Sequence, residues 1–149
     1  MAQHHLITAV SCLRSARLFN YLAVGSTLLA ACLFGLGQMI ADKRMAILPI
    51  AMSMPPIAIW LAASIFVYAS IAHHPNLTVR HYNKWAGYRY YGLIGTLPVV
   101  PIFIGYIPGR WWTMAAILIL ALIPWSLWDI WKAGKEDWQD MEVNLEHHR

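Results

Sequence analysis

The stretch LFNYLAVGSTLLAACLFGLGQMIA, residues 18–41, decides how this chain folds. It carries no charge, and only Asn20 and Gln38 are strongly polar. As a helix it would be roughly 36 Å long, enough to cross a hydrocarbon core of ~30 Å. The stretch therefore predicts a transmembrane helix. Small residues at every fourth position predict a face on which a second helix packs closely, formed by Ala23, Thr27, Ala31 and Gly35.

The composition of the whole chain is typical of a membrane protein. Hydrophobic residues make up 59% and charged residues 12% of its 149 residues, against roughly 45–50% and about 25% in soluble domains. A single domain of this length cannot bury so much apolar surface, so lipid must cover part of it. The net charge of +4 is spread over the ends of the apolar runs, so we expect no nucleic-acid partner.

The region before Cys32 has a second interpretation. Residues 29–32, Leu-Ala-Ala-Cys, match the pattern that precedes a lipidated cysteine, and Arg14 and Arg17 would supply the positive charge of a signal peptide. The apolar run continues for nine residues beyond Cys32, as in a signal anchor. We expect the anchor, and the sequence leaves lipidation of Cys32 open.

Three further apolar runs predict transmembrane helices at about 45–72, 91–107 and 111–131. The run at 91–107 is the shortest, and a re-entrant or broken helix is the alternative there. Prolines in the second and third of the four spans lack the N–H that a continuous helix needs, so they predict kinks. Such a kink either forms a hinge beside a polar cavity or bends the helix to fit its neighbours. The prolines are Pro49, Pro55, Pro56, Pro98 and Pro101.

Four spans place both ends of the chain on one side of the membrane. That side, with the polar N-terminus 1–17, the loop 73–90 and the tail 132–149, then holds eight Lys and Arg residues against three on the other. Cytoplasmic loops carry the excess of positive charge. The sequence thus predicts an all-α integral membrane protein with both ends in the cytoplasm. Without the third span the counts become five and six, and the bias is lost.

The loop 73–90, HHPNLTVRHYNKWAGYRY, is basic and aromatic and has no acidic residue. Aromatic residues spaced by three beside cations are typical of a segment that contacts anionic lipid, here at the cytoplasmic face. In the acidic tail 132–149, Trp138, Met141 and Leu145 have the spacing of a short amphipathic helix. The residues predicted to contact lipid or a partner are Arg80, Tyr82, Lys84, Trp85, Tyr88, Arg89 and Trp138.

Two sets of polar residues are candidates for chemistry. His73, His74 and His81 lie near one membrane face and could ligate metal or haem, but no His lies inside a predicted span, so we expect no metal and no cofactor. Asp129 is the only acidic residue inside a predicted span. It suggests either proton transfer or, as we expect, a pair with Lys132 one turn away. No phosphate loop, catalytic triad or intramembrane carboxylate pair indicates an enzyme.

Residues 88–122, YRYYGLIGTLPVVPIFIGYIPGRWWTMAAILILAL, resemble the short membrane hairpin subunits of type IVB secretion and conjugation machines, the IcmT/TraK-like proteins. In those proteins an aromatic and basic approach leads into a proline-containing helix, an Arg-Trp-Thr-like turn and a second helix. This chain is longer, and residues 93–95, Leu-Ile-Gly, stand where an Asp-Arg approach is expected. The resemblance implies a scaffold subunit of a bacterial inner-membrane export complex, without transfer of any functional residue. The matching positions are Tyr90, Tyr91, Gly92, Pro98, Phe103, Arg110, Trp111, Trp112 and Thr113.

Three functions follow from these observations. The first is a non-enzymatic subunit of an inner-membrane complex, with other membrane subunits and anionic lipid as its partners. The second is an accessory subunit of a respiratory or redox complex, in which the histidines bind a cofactor. The third is a small transporter or channel built around the proline-containing spans.

Overall fold

Four helices and one short ribbon make up the described part of the chain. The computed structural model describes residues 4–42, 44–104 and 110–144. The chain is all-α apart from the ribbon, and α1 contacts each of the other three helices. The elements in chain order are β1 (His4–Ile7), α1 (Ala9–Ile40), α2 (Leu48–Ala72), α3 (Leu77–Ile104), α4 (Arg110–Ala133) and β2 (Met141–Asn144).

Two of these helices, α1 and α2, are long and apolar enough to cross a membrane. The predicted spans at 18–41 and 45–72 fall on them. The predicted span at 91–107 forms the second part of α3, which is described as far as Ile104, and α4 contains the predicted span at 111–131. Residues 105–109, between α3 and α4 in the chain, lie outside the described residues.

The first helix begins nine residues before the predicted span, inside the segment expected to be a polar N-terminus. The Thr8 hydroxyl accepts a hydrogen bond of 3.2 Å from the Ser11 N–H, as an N-cap does. The Asp140 carboxylate accepts the Ala9 N–H at 2.6 Å and adds negative charge at the positive end of the helix dipole. Two caps therefore extend α1 through Arg14 and Arg17.

The small-residue stripe predicted on α1 is buried over its first half only. Ala23 and Thr27 are buried, whereas Ala31 and Gly35 are partly exposed. The close approach of α1 to α2 lies at Gly37 instead, where an added Cβ would stand 2.6 Å from the Pro49 Cα. The backbones of the two helices therefore come close together where Gly37 faces Pro49 at the start of α2.

The prolines of α2 have different positions in the helix. Pro49 lies in the first turn, where the missing N–H has no helical partner to lose. Pro55 and Pro56 lie inside the helix, which continues on both sides of them. Pro98 and Pro101 lie within the bounds of α3. The kinks remain a prediction.

The segment 73–90 is helix rather than loop from Leu77 onward, so the predicted loop shrinks to residues 73–76. The Asn76 side-chain oxygen accepts the N–H groups of Thr78 and Val79, at 2.9 and 3.1 Å, and so caps α3. Residues 77–97 contain no proline to interrupt the helix. The aromatic and basic residues therefore stand on a continuous extension of the predicted third span.

As far as Asn144, where the described residues end, the tail after Ala133 does not form the amphipathic helix that the spacing of Trp138 and Met141 suggests. The Trp138 indole N–H donates 2.7 Å to the Ala133 carbonyl and folds the chain back over the end of α4. Strand β2 then pairs antiparallel with β1, with Val143 opposite His5. Pairing with a distant strand decides the local structure here.

Two apolar clusters form the core along α1. The cluster nearer the ribbon packs α1 against the ends of α2 and α4 and the start of α3. The other is rich in aromatic rings, with the centroids of Phe19 and Trp60 5.2 Å apart in an edge-to-face arrangement. The first comprises Cys12, Ala16, Ile71, Val79, Tyr82 and Ala133, and the second Phe19, Ala23, Trp60, Ala86, Tyr90 and Leu122.

Candidate functional site

A charged pair joins α3 to α4 inside the bundle. The Arg89 guanidinium donates a hydrogen bond to the Asp129 carboxylate, and the two side chains are 13% and 12% exposed. The prediction that Asp129 pairs with Lys132 is therefore wrong. A residue on the neighbouring helix reaches the carboxylate, because the two residues face each other across the helix contact. Arg89, predicted to contact lipid, is turned inward by the same pair.

Asn20 of α1 extends this pair to a third helix. Its side-chain oxygen lies 3.4 Å from the Arg89 Nη2, and the residue is only 1% exposed. The Trp125 ring stands beside the same guanidinium, 5.8 Å from the Arg89 Cζ. The sequence shows that Asn20 is a polar residue within an apolar run, but it does not show that Arg89 is its partner. We call Asn20, Arg89 and Asp129 the polar triad.

The polar triad is better suited to fixing helix positions than to catalysis. A buried ion pair gives little net stability, because desolvation offsets the attraction, but breaking it leaves a buried charge unpaired. The Asp129 carboxylate is already paired with the Arg89 guanidinium, which ties α4 to α3. The triad therefore sets how α1, α3 and α4 align.

Arg17 holds the end of α4 in a similar way. Its Nε donates a 2.8 Å hydrogen bond to the Ile130 carbonyl, near the negative end of the α4 dipole. A Cβ added to Gly134 would lie 2.0 Å from the Arg17 Nη2, so the glycine makes room for the guanidinium. Arg17, which contributes only its charge to the sequence-based prediction, therefore also stabilises the end of α4.

The predicted aromatic face of α3 divides into an inner and an outer part. Tyr82 is buried, whereas Trp85 and Tyr88 are exposed, with ring centroids 6.2 Å apart. Residues spaced by three drift around a helix of 3.6 residues per turn, so the first and third do not share a face. Arg80 and Lys84 are exposed, and the Lys84 Nζ lies 5.5 Å from the Tyr88 ring centroid. The outer part keeps the basic and aromatic character that the sequence predicts.

Tyr82 instead binds the tail. Its hydroxyl donates a 2.7 Å hydrogen bond to the Glu136 carboxylate, and its ring lies 6.5 Å from the Trp138 ring. Burial raises the pKa of Tyr82, and the hydrogen bond to Glu136 raises it further. Trp138, predicted to contact a partner, is packed within the chain against Tyr82.

A cleft opens between α2 and α3 beside the exposed cations. It encloses about 240 Å³ and is lined by Tyr68 and Ala72 of α2 and by Arg80, Asn83 and Lys84 of α3. The Asn83 amide nitrogen donates 3.1 Å to the Tyr68 carbonyl. Its side-chain oxygen is buried and finds no hydrogen-bond partner among the described residues. The sequence gives no signal for Asn83 or Tyr68, since only the packing of α2 on α3 brings them together.

The histidines do not form a common centre in the described part of the chain. His73 and His81 are exposed, and His81 packs edge-on against Tyr82 and Trp85. His74 is partly buried, which lowers its pKa, and its Nδ1 accepts the Asn76 N–H at 3.2 Å. Within residues 4–42, 44–104 and 110–144, no group of three or more His, Cys, Asp or Glu side chains could hold a metal ion.

Comparison with protein families, with curated proteins and with solved structures finds no match. The resemblance of residues 88–122 to IcmT/TraK-like subunits therefore remains a prediction. Several side chains that carry it, from Pro98 to Thr113, lie outside the described part of the structure.

Proposed function

We propose that this chain is a non-enzymatic subunit of a multiprotein complex in the bacterial inner membrane, and that it crosses the bilayer four times with both ends in the cytoplasm. One observation carries the proposal. Only 11% of the most apolar 18-residue stretch of α2 is buried within the chain. An apolar helix with so little internal cover needs lipid or other subunits around it.

The outward surface of α2 favours other subunits over lipid alone. Exposed small residues recur along it at spacings of four, three, four and seven, which keeps them on one face of the helix. Such a face allows a second helix to approach closely in a membrane. We call it the outer stripe, and it consists of Ala51, Pro55, Ala58, Ala62 and Ala69.

The polar triad supports a scaffold function. An intramembrane carboxylate that acts in proton transfer needs to bind and release a proton, whereas Asp129 is paired with an arginine across two helices. The type of complex is proposed from the sequence resemblance, as a secretion or conjugation machine.

Co-purification in mild detergent tests the proposal. Ala62→Trp places a large ring on the outer stripe and should remove the partner subunits that the wild-type chain retains. Leu28→Trp is the matched control, since Leu28 is also exposed on an apolar helix but lies on α1. A chain that purifies alone, monomeric and fully active, contradicts the proposal. Loss of the same partners in both variants contradicts the outer stripe as the contact.

A small transporter is the second candidate, because polar atoms are buried without partners in the bundle. The Asn20 Nδ2, the Trp60 Nε1 and the Tyr90 hydroxyl have no hydrogen-bond partner among the described residues. Such groups are uncommon in native structures and can mark a hydrated path. Solute flux in liposomes that is lost in Asp129→Asn or Pro55→Ala would favour this candidate. Equal flux in wild type and both variants would contradict the path.

A further inference from the structure

The cleft between α2 and α3 has the features of a phosphate site. Arg80 and Lys84 are one helical turn apart and both line it. Among the described residues neither forms an ion pair, since the one ion pair there joins Arg89 to Asp129. Two unneutralised cations beside a cavity attract an anion, and a guanidinium suits phosphate oxygens.

Asn83 adds a requirement that phosphate alone does not meet. Its side-chain oxygen is buried and has no hydrogen-bond partner among the described residues, and Asn83 itself lines the cleft, between Arg80 and Lys84 in sequence. A buried acceptor without a hydrogen bond costs free energy, so a ligand donor that reaches this oxygen by displacing the side chains over it gains a favourable contact. The phosphate oxygens of an ordinary phosphodiester are acceptors. The occupant therefore needs a hydrogen-bond donor next to its phosphate.

An apolar surface continues from the cleft along α2. Leu61, Ile65, Tyr68 and Ala72 follow one another at spacings of four, three and four, so they lie on one stripe of the helix. Tyr68 and Ala72 line the cleft, and Leu61 and Ile65 are exposed beyond it. A ligand with its phosphate in the cleft can therefore lay a hydrocarbon chain on this stripe. Free phosphate or a soluble phosphate ester would leave it uncovered.

We propose that this cleft binds one anionic phospholipid whose headgroup carries a hydroxyl, as in phosphatidylglycerol. Arg80 and Lys84 hold the phosphate, the headgroup hydroxyl donates to the Asn83 oxygen, and an acyl chain lies on Ile65 and Leu61. The inference rests on the proposed membrane location of α2. It turns the general contact with anionic lipid that the sequence predicts for Arg80 and Lys84 into a specific binding site. It does not depend on the identity of the complex.

Thermal unfolding of the purified chain in non-ionic detergent, followed by tryptophan fluorescence, measures the binding. We expect phosphatidylglycerol to raise the unfolding temperature in a saturable way, and phosphatidylcholine and inorganic phosphate to have no such effect. Phosphatidylmethanol has the same charge but no headgroup hydroxyl, and it should bind several-fold more weakly. Equal stabilisation by inorganic phosphate overturns the lipid assignment in favour of a free anion. Equal affinity for phosphatidylmethanol overturns the contact with Asn83.

Two pairs of substitutions locate the site. Arg80→Gln with Lys84→Gln should weaken phosphatidylglycerol binding roughly tenfold or more. Arg14→Gln with Lys132→Gln is the control, since it removes the same charge from exposed positions proposed to face the same side. An equal loss in both pairs means general charge attraction and overturns the site. Ile65→Ser should weaken the binding of phosphatidylglycerol, and an unchanged lipid affinity overturns the acyl path. All arms use the isolated chain, so their failure is distinct from a failure to co-purify with partners.

Discussion

The Arg89 guanidinium on α3 and the Asp129 carboxylate on α4 form an ion pair in the interior of the helix bundle, and Asn20 of α1 joins them. A shift of α3 along α4 would separate these two charges and leave each unpaired in the interior, which is costly. The polar triad therefore defines the arrangement of three helices.

Removing one charge of this pair should cost more than removing both. Asp129→Asn leaves the Arg89 guanidinium buried and unpaired, which typically costs about 3–5 kcal/mol. The double variant Arg89→Gln with Asp129→Asn removes both charges and should recover much of that loss. Thermal unfolding in detergent measures the three stabilities. A double variant that is less stable than Asp129→Asn alone would contradict the structural function of the pair.

Two glycines of α1 should respond in opposite ways to substitution by alanine. Gly37→Ala places a Cβ 2.6 Å from the Pro49 backbone, so the helices must separate, at a cost of about 1–3 kcal/mol. Gly35→Ala meets no atom within 4 Å and should stabilise the helix by roughly 0.5–1 kcal/mol. The free energies of unfolding of both variants test this. If the Gly37 variant is as stable as the Gly35 variant, the contact between α1 and α2 is not at Gly37.

The tail should be released at alkaline pH through Tyr82. Its folded-state pKa lies above the ordinary value of 10.0, because of burial and the hydrogen bond to Glu136. The folded state therefore keeps the proton longer than the unfolded state. The stabilisation is complete below about pH 10 and falls as the pH rises toward the folded pKa. Near-ultraviolet absorbance of tyrosinate and the stability of the wild type should change together above that pH.

Tyr82→Phe serves as the control for this effect. It removes both the titrating group and the hydrogen bond, so its stability should be lower by about 1 kcal/mol and depend less on pH in the same range. If the variant loses as much stability at alkaline pH as the wild type does, a group other than Tyr82 causes the loss.

Asp140 should stabilise the start of α1 from the far end of the chain. Asp140→Ala removes the acceptor of the Ala9 N–H and should cost about 1 kcal/mol, with faster amide exchange in the first turn of α1. Asp137→Ala removes the same charge at an exposed position of the tail and should leave that turn protected. Equal rates of amide hydrogen exchange in the first turn of α1 in the two variants would argue against Asp140 as a cap of this helix.

The sequence by itself determined where the apolar helices lie. Uncharged runs long enough to span a bilayer predict α1 and α2, and the structure places such helices there. Two members of the small-residue stripe predicted on α1, Ala23 and Thr27, are buried. These signals are local, because the residues of one segment are enough to show that it is apolar and which of its faces carries small side chains.

The tertiary structure decided which residues meet. Asp129 pairs with Arg89 rather than with Lys132, the close helix contact falls at Gly37 rather than at Gly35, and residues 141–144 pair as a strand. The cleft at Asn83 likewise exists only because α2 packs on α3. Each of these depends on which faces of distant segments come together. Spacing along one segment limits the possible faces but does not select the partner.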